Sequence, residues 1–147
     1  MNTIRLCLGC GAKNRVPQDK AHLRSKCGKC GASLMGAPLA DQVNALGDSE
    51  FTEHVQQSTL PVLVDFYSPT CGPCQMLAPV LDSLAARFAG RLIFYKVNTA
   101  IHQANAARFG IQGVPTLIFF RQGHEADRLV GAIPEADLAR RIAAFLG

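Results

Sequence analysis

From about residue 43 onward, apolar positions fall alternately into strand and helix spacings. Pro61 to Tyr67 is a β-branched apolar run interrupted by Asp65 alone, the pattern of a strand covered on both faces. Residues 72–89 place Leu77, Val80, Leu81, Leu84 and Phe88 at helical spacing, with Pro79 predicted to kink that helix. Leu92 to Asn98 is a second strand, and a short helix is expected over 101–108. Val114 to Arg121 and Ala126 to Gly131 are strands joined by Gln122-Gly123, which reads as a hairpin. Pro134, Glu135 and Asp137 open a last helix whose apolar face is Leu138, Ile142, Phe145 and Leu146. Upstream, Asp48 is expected to cap a helix carrying Phe51 and Val55, with Glu50 in its first turn. This order predicts an α/β fold, a mixed central sheet flanked by helices with an antiparallel pair at its end.

Before residue 34 the pattern is different. No aromatic residue occurs there, and Ile4, Leu6, Leu8, Val16 and Leu23 are too few for an autonomous core. Such a segment needs a staple. Residues 34–42 lack periodicity and read as a linker, so the expected division is 1–33, 34–42 and 43–147. Charge divides the chain at the same place. Arg5, Lys13, Arg15, Lys20, Arg24, Lys26 and Lys29 stand against Asp19 alone in the first part, whereas the remainder is mildly acidic, for a net charge of +4.

Composition narrows the setting. With 48% hydrophobic and 18% charged residues the chain is globular rather than disordered. The start carries no apolar signal region, and no apolar run approaches the roughly 20 residues that span a bilayer. A soluble, cytoplasmic protein is expected. In a reducing compartment, six cysteines arranged as three Cys-x-x-Cys pairs point to metal binding or catalysis rather than a disulfide framework.

The pair Cys71-Gly72-Pro73-Cys74 follows a buried strand and opens an amphipathic helix. The free N–H groups and positive end of a helix N-terminus favour the thiolate of Cys71, the reactive form. Cys74, one turn inside, is placed to attack a mixed disulfide formed on Cys71. Gly72 leaves the nucleophile approachable, and Pro73 needs no N–H in a first turn. Half of a metal site is the competing reading of this pair.

Residues 43–147 resemble the thioredoxin family over their whole length. The matching residues are Val64-Asp65-Phe66, Cys71-Gly72-Pro73-Cys74, Pro79, Val114-Pro115-Thr116 and Val130-Gly131-Ala132. The resemblance implies the thioredoxin fold and reduction of protein disulfides. Asp65 would be the buried carboxylate behind Cys74, raised in pKa by its apolar strand and suited to take the Cys74 proton through water. Structural hydrogen bonding is the blander role for Asp65. Lys96 matches the family's lysine near that aspartate, and Pro115 its cis-proline. Val114 would pair with substrate through its backbone, with Thr70, Gly72, Pro73, Pro115 and Gly131 completing the substrate contact. The family implies an NADPH-dependent flavoprotein, thioredoxin reductase, as electron donor. No nucleotide-binding glycine motif occurs in the chain, so no bound nucleotide or flavin is expected. A monomer is expected, without membrane or nucleic-acid partners. Family members usually carry tryptophan where this chain has Tyr67 and Thr70, and tryptophan is absent throughout.

The other two pairs, Cys7-Leu8-Gly9-Cys10 and Cys27-Gly28-Lys29-Cys30, lie sixteen residues apart, a spacing that reads as a four-cysteine zinc site. Gly11 and Gly31 permit the tight turns that aim backbone N–H groups at sulfur. Four thiolates leave zinc with a charge of about −2, which the surrounding basic residues offset. With Asn14-Arg15-Val16-Pro17 between them, the pairs resemble the ribbon of the zinc-binding, thioredoxin 2 type of the family. That zinc is expected to be structural or redox-sensitive. Two further redox dithiols and a nucleic-acid ribbon are the competing readings, the latter weakened by the lack of aromatic residues. His22 is expected at the surface, and His54, His102 and His124 show no ligand spacing.

Overall fold

The computed structural model describes residues 2–17, 19 and 25–147; His22 and its expected surface position lie outside them. The amino-terminal hairpin pairs β1 (Asn2–Leu6) antiparallel with β2 (Lys13–Pro17). Five further strands form a second sheet: β3 (Val43–Ala45), β4 (Val62–Tyr67), β5 (Ile93–Asn98), β6 (Thr116–Arg121) and β7 (His124–Val130). Their order is β3-β5-β4-β6-β7, with β3, β5 and β4 parallel and β6 and β7 antiparallel. Helices α1 (Gly72–Arg87) and α3 (Glu135–Leu146) cover one face. The other face is covered by a 3-10 turn (Asp48–Glu50), a π-helical turn (Thr52–Gln56) and α2 (Ala104–Arg108).

Strand alternation explains why both faces are dry. Val62, Val64 and Phe66 of β4 enter one core cluster with Phe51, Val55 and Ala106, while Leu63 enters the other with Leu77, Leu81 and Leu138. The same split divides Tyr95 from Phe94 on β5 and Ile118 from Leu117 on β6. A strand buried on both sides reads as a continuous apolar run, as Pro61 to Tyr67 does.

Several expectations are corrected. Asp48 does not cap a helix carrying Phe51 and Val55: Gly47 caps the 3-10 turn, and Phe51 itself precedes the π-helical turn that carries Val55. The Asp48 carboxylate instead accepts N–H bonds from Ala104 (3.0 Å) and Asn105 (3.1 Å), at the start of α2. Burial pushes its carboxyl up, but these bonds and the Asn105 side chain outweigh burial and hold it below its ordinary value. Strand β3 was not expected: three residues at a sheet edge carry too little periodicity to read. Strand β6 starts at Thr116 rather than Val114, since Pro115 has no N–H to give to the ladder. Strand β7 starts at His124 rather than Ala126, because the two-residue turn Gln122-Gly123 (φ 51° and 80°) pairs Arg121 directly with His124.

Among the described residues before Asp41, Leu6 and Ala40 join the main core, while Cys7, Val16, Cys27, Leu34 and Ala37 form a small cluster of their own. Leu6 (0% exposed) and Ala40 (3%) pack in the cluster of Phe51, Val62 and Tyr95. Residues 37–40 run beside β1, with Leu6 N–H bonded to Pro38 O and Ala40 N–H to Ile4 O, both 2.9 Å. The Arg5 guanidinium donates to Ala37 O, and the buried His54 ring sets its two nitrogens 3.1 Å from Gly36 O and Glu50 O. In the loop that joins β1 to β2, Gly11 lies against Thr59 and Leu60, which precede β4. The hairpin therefore docks at the amino-terminal ends of β4 and β5.

Candidate active site and four-cysteine cluster

At the opposite, carboxy-terminal end of β4, the chain turns through Ser68-Pro69-Thr70 into α1. Cys71 is the residue before the helix, in extended conformation (φ −83°, ψ 116°), and its sulfur accepts the Cys74 N–H at 3.2 Å. Pro73 sits in the first turn, where no N–H is needed. Cys71 and Cys74 are joined in a disulfide with Cα atoms 5.2 Å apart. Cys71 is half-buried and Cys74 almost fully so, with Gly72 and Thr70 exposed beside them. The Thr70 hydroxyl lies 3.2 Å from that of Ser68, so the rim before the nucleophile is polar.

Facing this pair is the loop before β6. The cis bond Val114–Pro115 brings the Val114 carbonyl oxygen to 3.6 Å from the Cys71 sulfur. Pro115 O in turn accepts the N–H of Gly131, whose φ of 96° suits glycine. Val114, Pro115 and Gly131 thus come together beside Cys71, as do Thr70, Gly72 and Pro73.

Behind Cys74 lies a cavity of about 80 Å³ lined by Val43, Asp65, Tyr67, Cys74, Ala78, Leu81, Asp82 and Lys96. That exceeds the roughly 10–15 Å³ that one water needs. Asp65 is 5% exposed, and one carboxyl oxygen has no hydrogen-bond partner in the protein. Burial pushes its carboxyl up from 3.8 to about 7, and the Lys96 ammonium opposes this only in part. A carboxyl that titrates near neutrality beside a buried sulfur can exchange a proton with it. Sequence reasoning missed Asp82 and Ala78 as walls of this cavity. Helical spacing from Cys74 (four and eight residues on) was the available signal.

The second site is at the docked hairpin. Two similar turns carry the four remaining cysteines: Gly11 N–H bonds Cys7 O (2.7 Å), and Gly31 N–H bonds Cys27 O (2.9 Å). Both glycines have positive φ, 78° and 77°. All four sulfurs lie within 4.8 Å of one another, with Cys7–Cys30 at 3.5 Å and Cys10–Cys27 at 3.7 Å. A regular tetrahedron with metal–sulfur bonds of about 2.3 Å has edges of about 3.8 Å, so the cluster has the size of a zinc tetrathiolate. Its electrostatics agree. The N–H of Cys30, then the Asn14 amide and Lys29 N–H, bring the Cys27 thiol down to about 6. The Ala32 amide also favours ionised Cys30, yet the sulfurs of Cys7 and Cys10 push that thiol up to about 11.

Two sulfurs within bonding distance, one reachable from outside and one buried beside a carboxyl, define a dithiol–disulfide exchange centre. Comparison with known proteins places the chain more closely. Residues 42–144 match the family model described as "Thioredoxin", and residues 6–32 match that described as "Thioredoxin 2, N-terminal". Among similar proteins, "Thioredoxin M-type, chloroplastic" of Pisum sativum is 41% identical over 113 residues, 77% of this chain and 66% of its own. "Thioredoxin M4, chloroplastic" of Arabidopsis thaliana is 46% identical over 107 residues, 73% of this chain and 55% of its own. The chain thus spans less than two thirds of either plant relative. "Thioredoxin" of Haemophilus influenzae is 43% identical over 101 residues, 69% of this chain and 94% of its own. The chain belongs to the thioredoxin family and carries the four-cysteine ribbon of the thioredoxin 2 type at its amino-terminal end.

Proposed function

We propose that the chain reduces disulfide bonds in other proteins by thiol–disulfide exchange. The Cys71 thiolate attacks a substrate disulfide, forming a Cys71–substrate disulfide and releasing one substrate sulfur, which takes up a proton. Cys74, giving its proton to Asp65 through water, then attacks the Cys71 sulfur. The second substrate thiol leaves, two electrons have passed to the substrate, and Cys71–Cys74 is oxidised. A reductase, the NADPH-dependent flavoprotein thioredoxin reductase, returns the pair to dithiol, so the chain itself holds no nucleotide or flavin.

In this reading the backbone of Val114 pairs with the substrate chain, while Thr70, Gly72, Pro73, Pro115 and Gly131 form the surface it meets. Lys96 moderates Asp65. Cys7, Cys10, Cys27 and Cys30 hold one zinc, in a ribbon of residues 1–33 joined through 34–42 to a thioredoxin domain of 43–147. The protein works as a cytoplasmic monomer. Among the described residues no helix is long and apolar enough to cross a membrane.

The observation that carries the reading is the Cys71–Cys74 disulfide at an accessible helix start, with its buried sulfur beside a carboxyl that titrates at about 7. Reduction of insulin disulfides by dithiothreitol-recharged protein tests it. Wild type is expected to accelerate reduction, Cys71→Ser to abolish it, and Cys74→Ser to accumulate a mixed disulfide. Equal turnover by wild type and Cys74→Ser would refute the reductase reading.

A further inference from the structure

The Asp65 cavity has a neighbour. On the same sheet end, a larger open cleft of about 330 Å³ is lined by Ala45 to Gly47, Ser49, Glu50, Asn98, Ile101 and His102 together with Tyr67 and Lys96. Of the residues that line the inner cavity, Tyr67 and Lys96 alone also line the outer cleft. Lys96 is exposed and Tyr67 half-buried. Both lie on the Asp65 side of the sheet: Tyr67 is two residues beyond Asp65 on β4, and Lys96 is the register partner of Asp65 on β5. The inner cavity's α1 side carries the exposed Ala78 and Asp82, so on the side of the outer cleft its boundary is Lys96 and Tyr67; a flexible, strongly hydrated ammonium does not exclude water there, whereas a rigid aromatic ring does.

We propose that Tyr67 is a positioning residue whose ring forms the wall that keeps the outer cleft's solvent away from the cavity where Asp65 meets Cys74. The inference rests on the reading of Asp65 as proton carrier for Cys74. The charged and titratable groups around Asp65 are Lys96 on β5, Cys74 and Asp82 on α1, and Tyr67 on its own strand. Burial is the largest influence on its carboxyl, so opening the wall acts on that influence directly. The ring, not the hydroxyl, performs this role.

The test is a carboxyl ¹³C NMR titration of Asp65 in the full-length, reduced protein, alongside the pH profile of insulin reduction. Tyr67→Phe is expected to titrate with wild type. Tyr67→Ala is expected to lower the Asp65 midpoint by about one pH unit or more, and the acid limb of the profile should move with it. Tyr67→Val, which keeps a strand-forming side chain, gives the same readout if the alanine variant does not fold. A wild-type midpoint in both small variants would overturn the proposal, as would a fall in Tyr67→Phe equal to theirs. Failure of the proton-carrier reading shows separately: Asp65→Asn would then leave the wild-type pH profile unchanged while the NMR titration still decides the wall.

Discussion

Asp65 and Lys96 are register partners on the parallel strands β4 and β5, and both side chains line the cavity behind Cys74. The pairing is unequal. Asp65 is buried and Lys96 exposed, so the ammonium is screened by water and offsets little of what burial costs the carboxylate.

A pH dependence of stability follows. The Asp65 carboxyl is raised from 3.8 to about 7 in the folded chain. Below the unfolded value both states hold the proton, and Asp65 costs nothing. As pH rises toward the folded value, the unfolded chain ionises first and the native state loses relative stability. Three powers of ten in proton affinity correspond to about 4 kcal/mol. Urea unfolding of wild type and Asp65→Asn at about pH 4 and pH 8 should show the variant gaining on wild type at the higher pH, by up to that amount.

The Asp48 contact predicts the opposite slope. Its carboxylate accepts N–H bonds from Ala104 and Asn105 and holds its proton more weakly than an ordinary aspartate. That stabilisation is present above the unfolded pKa and is lost as pH falls through the lower folded value. Asp48→Ala should cost about 0.5–2 kcal/mol at neutral pH, the range for losing a helix cap. The difference between variant and wild type should shrink in acid, as read by denaturant midpoints.

Leu6 belongs to β1 by sequence and to the main core by packing. Leu6→Ala should cost about 2–5 kcal/mol, the range for emptying a buried leucine site. Calorimetry should show this as a lower midpoint of the main transition rather than as loss of a separate minor one. Metal chelation under reducing conditions should lower the same midpoint, since β1 enters the core from the four-cysteine ribbon.

Metal and thiol counts separate the two kinds of cysteine pair. One zinc per chain is expected by elemental analysis, retained in Cys71→Ser and Cys74→Ser and lost in Cys27→Ser. The zinc-loaded, reduced wild type should titrate two reactive thiols, Cys71 quickly and the buried Cys74 more slowly.

Much of the site was legible because it is local. Cys71, Gly72, Pro73 and Cys74 sit within one helical turn, and their chemistry depends on a helix start that the flanking pattern announces. The two glycine-ended cysteine turns are local in the same way. Asp65 stood out as the single acid in an apolar strand. The gathering of Val114, Pro115 and Gly131 beside Cys71 was implied by family resemblance, not by spacing.

Continuous apolar runs and the 3.6-residue period therefore determined the longer strands and helices, and the Cys-x-x-Cys pairs pointed to the two chemistries. Tertiary structure alone decided which helix Asp48 serves, where the short edge strand Val43–Ala45 lies, and that Leu6 and Ala40 join the core of Phe51, Val62 and Tyr95. It also decided that Tyr67 and Lys96 stand between two cavities. Periodicity is a property of neighbouring residues, whereas a cap's partner, an edge strand and a cavity wall are set by chain segments that meet only when the sheet is assembled.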